Sequence, residues 1–418
     1  MRTVRASDGR SRGLLWAAGV SLAVILPSCG ITSATTPHAQ ERGTLVIHGT
    51  GDVSLDPSQI PAFRTNGYGW AWSGLGGLFR HDDLTVVNLE CPATDVVDPE
   101  PKPFAFRCDP EALPAARSAG IDVANQANNH SYDDGPAGLL DSLSTIRAAG
   151  LAPVGAGSDQ ADALRAVSVQ VNGWTIAVLG IDEVLDPVDE VAGPDKPGTA
   201  AGHDFALALR AVRDAASVSD LVVVTIHWGV ELDPRPRPYQ VHQAHRMINA
   251  GADVIFGSHP HRIQPMETYR GRPIFYSLGN FVWPRLTPMT SASAVAEVTV
   301  TPDGALTGRL LPVEIVSDGH PVLSPSPRPS TCTNRAAFAP ADVFERPPEP
   351  AAMLARERRG FAWRRRTRLP AFGTGSRSPR WDWLVRGVPS SWPPGARNAC
   401  EPSPPAVPKR TSIWVASR

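Results

Sequence analysis

Residues 251–265 read GADVIFGSHPHRIQP. Positions 253–257 form a short apolar run of strand length, too apolar to keep one face in water. The run ends in Gly257-Ser258 and then delivers His259 and His261. Residues at i and i+2 of an extended segment share a side, so the two imidazoles are expected to face one centre or two adjacent ones.

Working outward, the same form recurs. The run 44–48 leads into Gly49-Thr50-Gly51-Asp52, and 84–87 into Asn88-Leu89-Glu90. The run 122–127 leads into Asn128-Asn129-His130, with Asp133-Asp134-Gly135 following, and 221–227 ends in His227-Trp228-Gly229-Val230-Glu231. Further strand-length runs lie at 174–181, 274–278, 294–300 and 306–315, and helical patterns at 136–149, 203–216 and 239–250. Strands alternating with helices imply an α/β core. Five strands thus bring Asp, Glu, Asn, His and His to their C-terminal ends, the edge where open α/β sheets bind ligands.

Taken singly, these residues say little. A His after a strand is usually a hydrogen-bonded loop residue, and Asn-Asn is usually a turn. Together they are an oxygen and nitrogen donor set without cysteine, which disfavours a structural zinc cage. Mixed imidazole and carboxylate suits one or two divalent transition ions, Mn, Fe or Zn, in an open site. His242 and His245 fall at i and i+3 of a helix and read as an exposed or capping face; His48 and His203 take no role.

The chain has 418 residues, 42% hydrophobic and 19% charged, enough for a sizeable core. Collagen, coiled coil and multi-span membrane proteins are excluded. A net charge of −1 hides a split: residues 321–418 carry 17 basic and 6 acidic groups, and the first 320 carry 23 and 35. From 318 the chain is rich in Pro and Arg, includes RRRTR at 364–368, and reads as a disordered low-complexity tail. Such a tail either binds anionic lipid or polymer or is simply solvated. No nucleic-acid recognition motif occurs.

The N-terminus reads as an export signal over 1–29. Arg2, Arg5, Arg10 and Arg12 precede the apolar stretch GLLWAAGVSLAVILPS, which is too short for a comfortable membrane span. It ends in Leu26-Pro27-Ser28-Cys29, which resembles a bacterial lipoprotein processing site with the lipid on Cys29. Residues 30–43 form a polar linker, and the folded body runs over 44–317. Export makes disulfides admissible. Cys91 and Cys108 either form a bridge worth roughly 3 kcal/mol or stay as unpaired core residues, and Cys332 and Cys400 offer a second pair.

The body resembles the CapA-type family of poly-gamma-glutamate capsule synthesis, a branch of the calcineurin-like metallophosphoesterases. Six blocks carry the resemblance: GDVSLD at 51–56, NLECPAT at 88–94, ANNHSYDDG at 127–135, HWGVE at 227–231, GADVIFGSHPHRIQP at 251–265 and YSLGNFVW at 276–283. It implies a sandwich of two mixed β-sheets flanked by helices. It implies that Asp52, Glu90, Asn129, His227, His259 and His261 ligate metal and that His130 is the catalytic His beside them. The superfamily's usual Asp-x-His is broken here by Ser54, and Glu90 replaces the customary bridging Asp. Asp133 or Asp134 is expected to orient His130 or else to cap the next helix. Arg107 and Arg262 are candidates to hold an anionic substrate, against a reading as surface charges. The leading functional expectation is an exported, membrane-anchored protein acting on an anionic cell-surface polymer, within capsule synthesis or export. A secreted metal-dependent phosphodiesterase and a catalytically degenerate polymer-binding module are the alternatives.

Overall fold

A computed structural model describes residues 41–184, 189–202 and 204–324. The expected signal, Cys29, the Cys332–Cys400 pair, His203 and nearly all of the expected tail lie outside these residues. Among the described residues sixteen strands are formed: β1 (Leu45–Val53), β2 (Leu84–Leu89), β3 (Val123–Asn125), β4 (Ala152–Val154), β5 (Ala156–Gly157), β6 (Val167–Val171), β7 (Trp174–Asp182), β8 (Gly198–Thr199), β9 (Leu221–His227), β10 (Val254–Ser258), β11 (Met266–Tyr269), β12 (Arg272–Phe275), β13 (Asn280–Val282), β14 (Ala292–Val300), β15 (Leu306–Ser317) and β16 (His320–Leu323).

They make two large sheets and a small pair. The first sheet runs β16-β15-β14-β1-β2-β3-β4, with β13 also paired to β1; the second runs β11-β12-β10-β9-β7-β6. Strands β1 to β4 are mutually parallel, as are β7, β9, β10 and β12, and antiparallel strands complete each sheet. Both sheets are therefore mixed, as the family resemblance implies.

Alternation along each strand divides the core. Leu45, Ile47, Leu84 and Val86 of the first sheet pack against Val178, Leu221, Val223 and Phe256 of the second. The opposite faces, with Val87 and Leu89 on one sheet and Val222, Val224 and Ile226 on the other, are covered by helices. On the second sheet these are Phe205–Ala216 and Pro238–Ala250. Strands buried on both faces read as continuous apolar runs, which is why they were visible in the sequence.

Two local features differ from the sequence reading. Asp52 lies inside β1 rather than beyond it, after a register shift between Gly49 and Asp52 against β2. An ideal Cβ on Gly51 would lie 1.7 Å from the Gly279 carbonyl oxygen, so only glycine lets β1 reach the Gly279 turn that receives the Asp52 N–H at 2.9 Å. The first sheet also continues past Ser317 into β16, a short edge strand containing Pro321. A proline tolerated only at an edge masks such a strand in sequence.

Phe256 is 2% exposed and lies against Gly49, whose Cβ would fall 2.6 Å from its ring. Phe256→Ala is expected to cost about 3–5 kcal/mol in urea unfolding. A loss below about 1 kcal/mol would show that this ring does not join the sheets.

Candidate metal centre

The parallel strands of both sheets end at one edge and bring six side chains together there. Asp52 pairs in register with Asn88 on β2 and with Asn280 on β13. His227, the last residue of β9, is in register with Ser258 of β10. Glu90 follows β2, and Asn129 and His130 follow β3. Asp52, Glu90 and His227 are fully buried, and one donor atom from each lies within 4.8 Å of the others.

The hydrogen bonds show what this cluster lacks. His227 Nδ1 is 2.9 Å from Ser258 Oγ, whose hydroxyl reaches the Ile226 carbonyl at 3.3 Å. An Nδ1–H donated to Ser258 leaves Nε2 with its lone pair. That atom stands 3.0 Å from Asn129 Oδ1 and 3.7 Å from Glu90 Oε1. Glu90 Oε1 is buried and accepts no hydrogen bond, and His261 Nε2 is 3.7 Å from it. With His227 in that tautomer, three acceptor atoms converge, an arrangement that a divalent cation satisfies.

Electrostatics agree. Burial and then the neighbouring charge of Asp52 push the Glu90 carboxyl well above its usual range. Burial opposes ionisation of Asp52 too, but the hydrogen bond and charge of His261 outweigh it and hold Asp52 below the usual range. His261 is raised in turn: burial lowers it, and the Asp52 carboxylate more than compensates. Its Nδ1 lies 3.0 Å from Asp52 Oδ2 and 2.8 Å from Asn280 Oδ1. Burial, then the charges of His259, His261 and His130, push His227 well below its ordinary value, which favours the neutral, ligating ring.

His259 and His261 are not on an extended segment as expected. Their φ values are 91° and 52°, in the left-handed region that side chains other than glycine rarely adopt. The loop is held there by Leu232 N–H on the Pro260 carbonyl at 2.9 Å and Trp228 N–H on Ser258 O at 3.2 Å. The rings still converge: His259 is 4.9 Å from the His227 ring and 6.0 Å from that of His261. Residues in sparsely populated φ collect at functional sites.

His130 Nδ1 lies 2.8 Å from Asp133 Oδ2, and its ring stacks on Phe106 at 4.0 Å. Asp133 therefore orients His130. Asp134 occupies the N-cap position of Gly135–Ala148 but makes no side-chain capping bond. It accepts instead from Asp98 N–H and from Arg107 Nε, each at 3.1 Å. Arg107 is thus paired with Asp134 and lines a cavity of about 450 Å³ with Arg64 and Asp109. Arg262 is partly exposed and reaches only the Leu232 carbonyl, at 3.5 Å. Ser54 is buried on β13, donating its N–H to Val282 O, and brings no imidazole. Cys91 and Cys108 form a disulfide. His245 pairs with Glu267 at the surface, and His48 is buried on Asp82.

Sequence reasoning missed Asn88 and Asn280. The Asn88 amide contacts Asp52 Oδ1 at 2.9 Å and Glu90 Oε2 at 3.4 Å, and its oxygen receives Asn125 and Asn128. Asn88 lies inside a strand whose neighbours are apolar, and a buried polar residue there was the available signal.

The profile of the bacterial capsule synthesis protein family PGA_cap matches residues 46–285. The chain is 35% identical to the PGA biosynthesis protein CapA of Bacillus subtilis over 241 residues, 57% of this chain and 63% of that protein. It is 36% identical to the capsule biosynthesis protein CapA of Bacillus anthracis over 299 residues, 69% and 72% of the two chains. A crystal structure of a phosphatase from Mycoplasma pneumoniae superposes with a TM-score of 0.45 at 14% identity, covering 65% of this chain and 94% of that one.

In chelator-treated protein, Glu90→Gln should melt above wild type, because one of two buried carboxylates is gone. With added Mn²⁺ the order should reverse. Equal Mn²⁺-induced gains in both proteins would exclude Glu90 from the centre.

Proposed function

The chain belongs to the bacterial capsule synthesis protein family PGA_cap, and from that membership and the strand-end centre we propose that it acts on an anionic cell-surface polymer of the poly-gamma-glutamate kind. The polymer is handled in synthesis, export or release, alongside the other components of a capsule assembly. The protein is exported and anchored at the outer face of a bacterial membrane through a lipid on Cys29. Among the described residues no helix is long and apolar enough to cross a membrane.

In this reading Asp52, Glu90, Asn129, His227, His259 and His261 hold one or two divalent ions, Mn, Fe or Zn. A bound ion of this type supplies Lewis acidity and an activated water. The chain's own contribution is orientation and a proton. Asp133 takes the Nδ1–H of His130 and fixes the ring, so a proton on Nε2 faces away from Asp133 and is available to a leaving group. Phe106 stacked on the same ring shields it from water. With Ser54 in place of an imidazole, the position left with Asp52, Glu90 and His261 has one donor fewer than the position formed by Glu90, Asn129, His227 and His259. One tightly held ion and one weaker one follow from that count.

The observation that carries the proposal is the convergence of His227 Nε2, Asn129 Oδ1 and the hydrogen-bond-free Glu90 Oε1 at the mouth of two parallel strand sets. Incubating the purified chain and Mn²⁺ with poly-gamma-glutamate, and measuring polymer length by gel filtration, tests it. Wild type should shorten the polymer, and His130→Ala should slow this by about 10²–10⁴-fold while still co-sedimenting with it. Cleavage of bis(4-nitrophenyl) phosphate without any effect on the polymer would favour a phosphodiesterase. Polymer binding with no cleavage of either compound would leave a binding module, and neither binding nor cleavage would defeat the polymer role.

A further inference from the structure

The loop between Cys91 and Cys108 supplies a residue to which neither the family blocks nor strand-end reasoning gives a role. Lys102 is charged yet only 3% exposed at its side chain. Burying an ammonium is costly unless it is fully paired. Its Nζ makes an ion pair with Asp133 Oδ1 and a 2.5 Å hydrogen bond to the backbone carbonyl of Asn129. These two acceptors belong to the two halves of the centre. The Asn129 carbonyl is part of the peptide joining Asn129 to His130. Asp133, through its other oxygen, holds His130 Nδ1.

The rest of the loop is fastened to the same place. Glu100 N–H donates to the Asp133 carbonyl at 2.8 Å, and Phe106 N–H to Asp133 Oδ2 at 2.6 Å. The Cys91–Cys108 disulfide and an Ala93–Cys108 bridge close its ends.

We propose that Lys102 is a positioning residue of the centre, its ammonium locking the Asn129–His130 peptide and the Asp133 carboxylate in one geometry. This rests on the metal-centre reading above. A counter-charge alone would need only Asp133. The bond to the Asn129 carbonyl predicts a second effect that survives when Asp133 is neutralised.

The test is a double-mutant cycle on the full chain, read by Mn²⁺ affinity in equilibrium dialysis and by thermal melting. Lys102→Met should weaken Mn²⁺ binding by about 10–100-fold, the range for groups that orient metal ligands. It will also lower the melting temperature, since the buried Asp133 loses its ammonium partner and keeps only the bonds to His130 and Phe106. Asp133→Asn removes that burden but leaves the Lys102 ammonium buried without its carboxylate, so Lys102→Met/Asp133→Asn should melt at or above Asp133→Asn alone. The double variant should nevertheless bind Mn²⁺ about tenfold more weakly than Asp133→Asn. Equal Mn²⁺ affinities in those two proteins would overturn the proposal and reduce Lys102 to a counter-charge. If wild type binds Mn²⁺ but cleaves nothing, the hydrolytic reading falls and the cycle still decides Lys102. If wild type binds no Mn²⁺, both fall together.

Discussion

Two carboxylates, Asp52 and Glu90, sit fully buried in one small polar space, and the rest of the site follows from that constraint. Like charges in a low-dielectric interior repel strongly, and each also loses its hydration. Three responses are visible around them. Asn88 spreads one amide over both, His261 leans on Asp52, and Glu90 is left with an oxygen that nothing donates to. The first two soften the conflict, and the third preserves it for a ligand with positive charge. A centre built this way would give up stability when empty and regain it on binding a cation.

The surrounding architecture is arranged to hold that tension. Asp52 comes from the first sheet and His227 from the second, so the centre straddles the two sheets, and the inter-sheet packing of Phe256 on Gly49 fixes the distance across it. The outer wall is made differently. It is a long loop without regular structure over most of its length, closed by a disulfide and fastened to Asp133 and Asp134 by backbone and side-chain bonds. Sheet edges give precision at the ligands, and the closed loop gives the His130 side its enclosure.

Much of this was legible in the sequence because parallel strands buried on both faces announce themselves as unbroken apolar runs. β9 was readable to the residue and β2 over its first four, and the polar side chains that follow β2, β3 and β10 were reached by reading past each run. What stayed hidden had physical causes. Asn88 and Asn280 are polar residues inside strands, where pattern reading looks for apolar ones. β13 is three residues long, and β16 carries a proline. Asp52 looked like a turn residue because the glycines before it signal a turn, although here they permit a shifted strand and close backbone approach. The geometry of His259 and His261 could not be read at all, since their left-handed backbone is imposed by the neighbouring 228–232 loop and not by their own sequence. Asp134 showed the same dependence on context: its place before a helix suggests a cap, but Arg107 and the 98–107 loop claim its oxygens.

The contact of Gly51 with the Gly279 carbonyl limits which substitutions the scaffold tolerates. A position where a single added carbon would overlap backbone is closed to every other amino acid, whatever its chemistry. Substitutions around the rim can change the set of polar side chains, while the strand crossing at Gly51 accepts no side chain. The glycine thereby marks a part of the scaffold that no single substitution can alter without moving backbone.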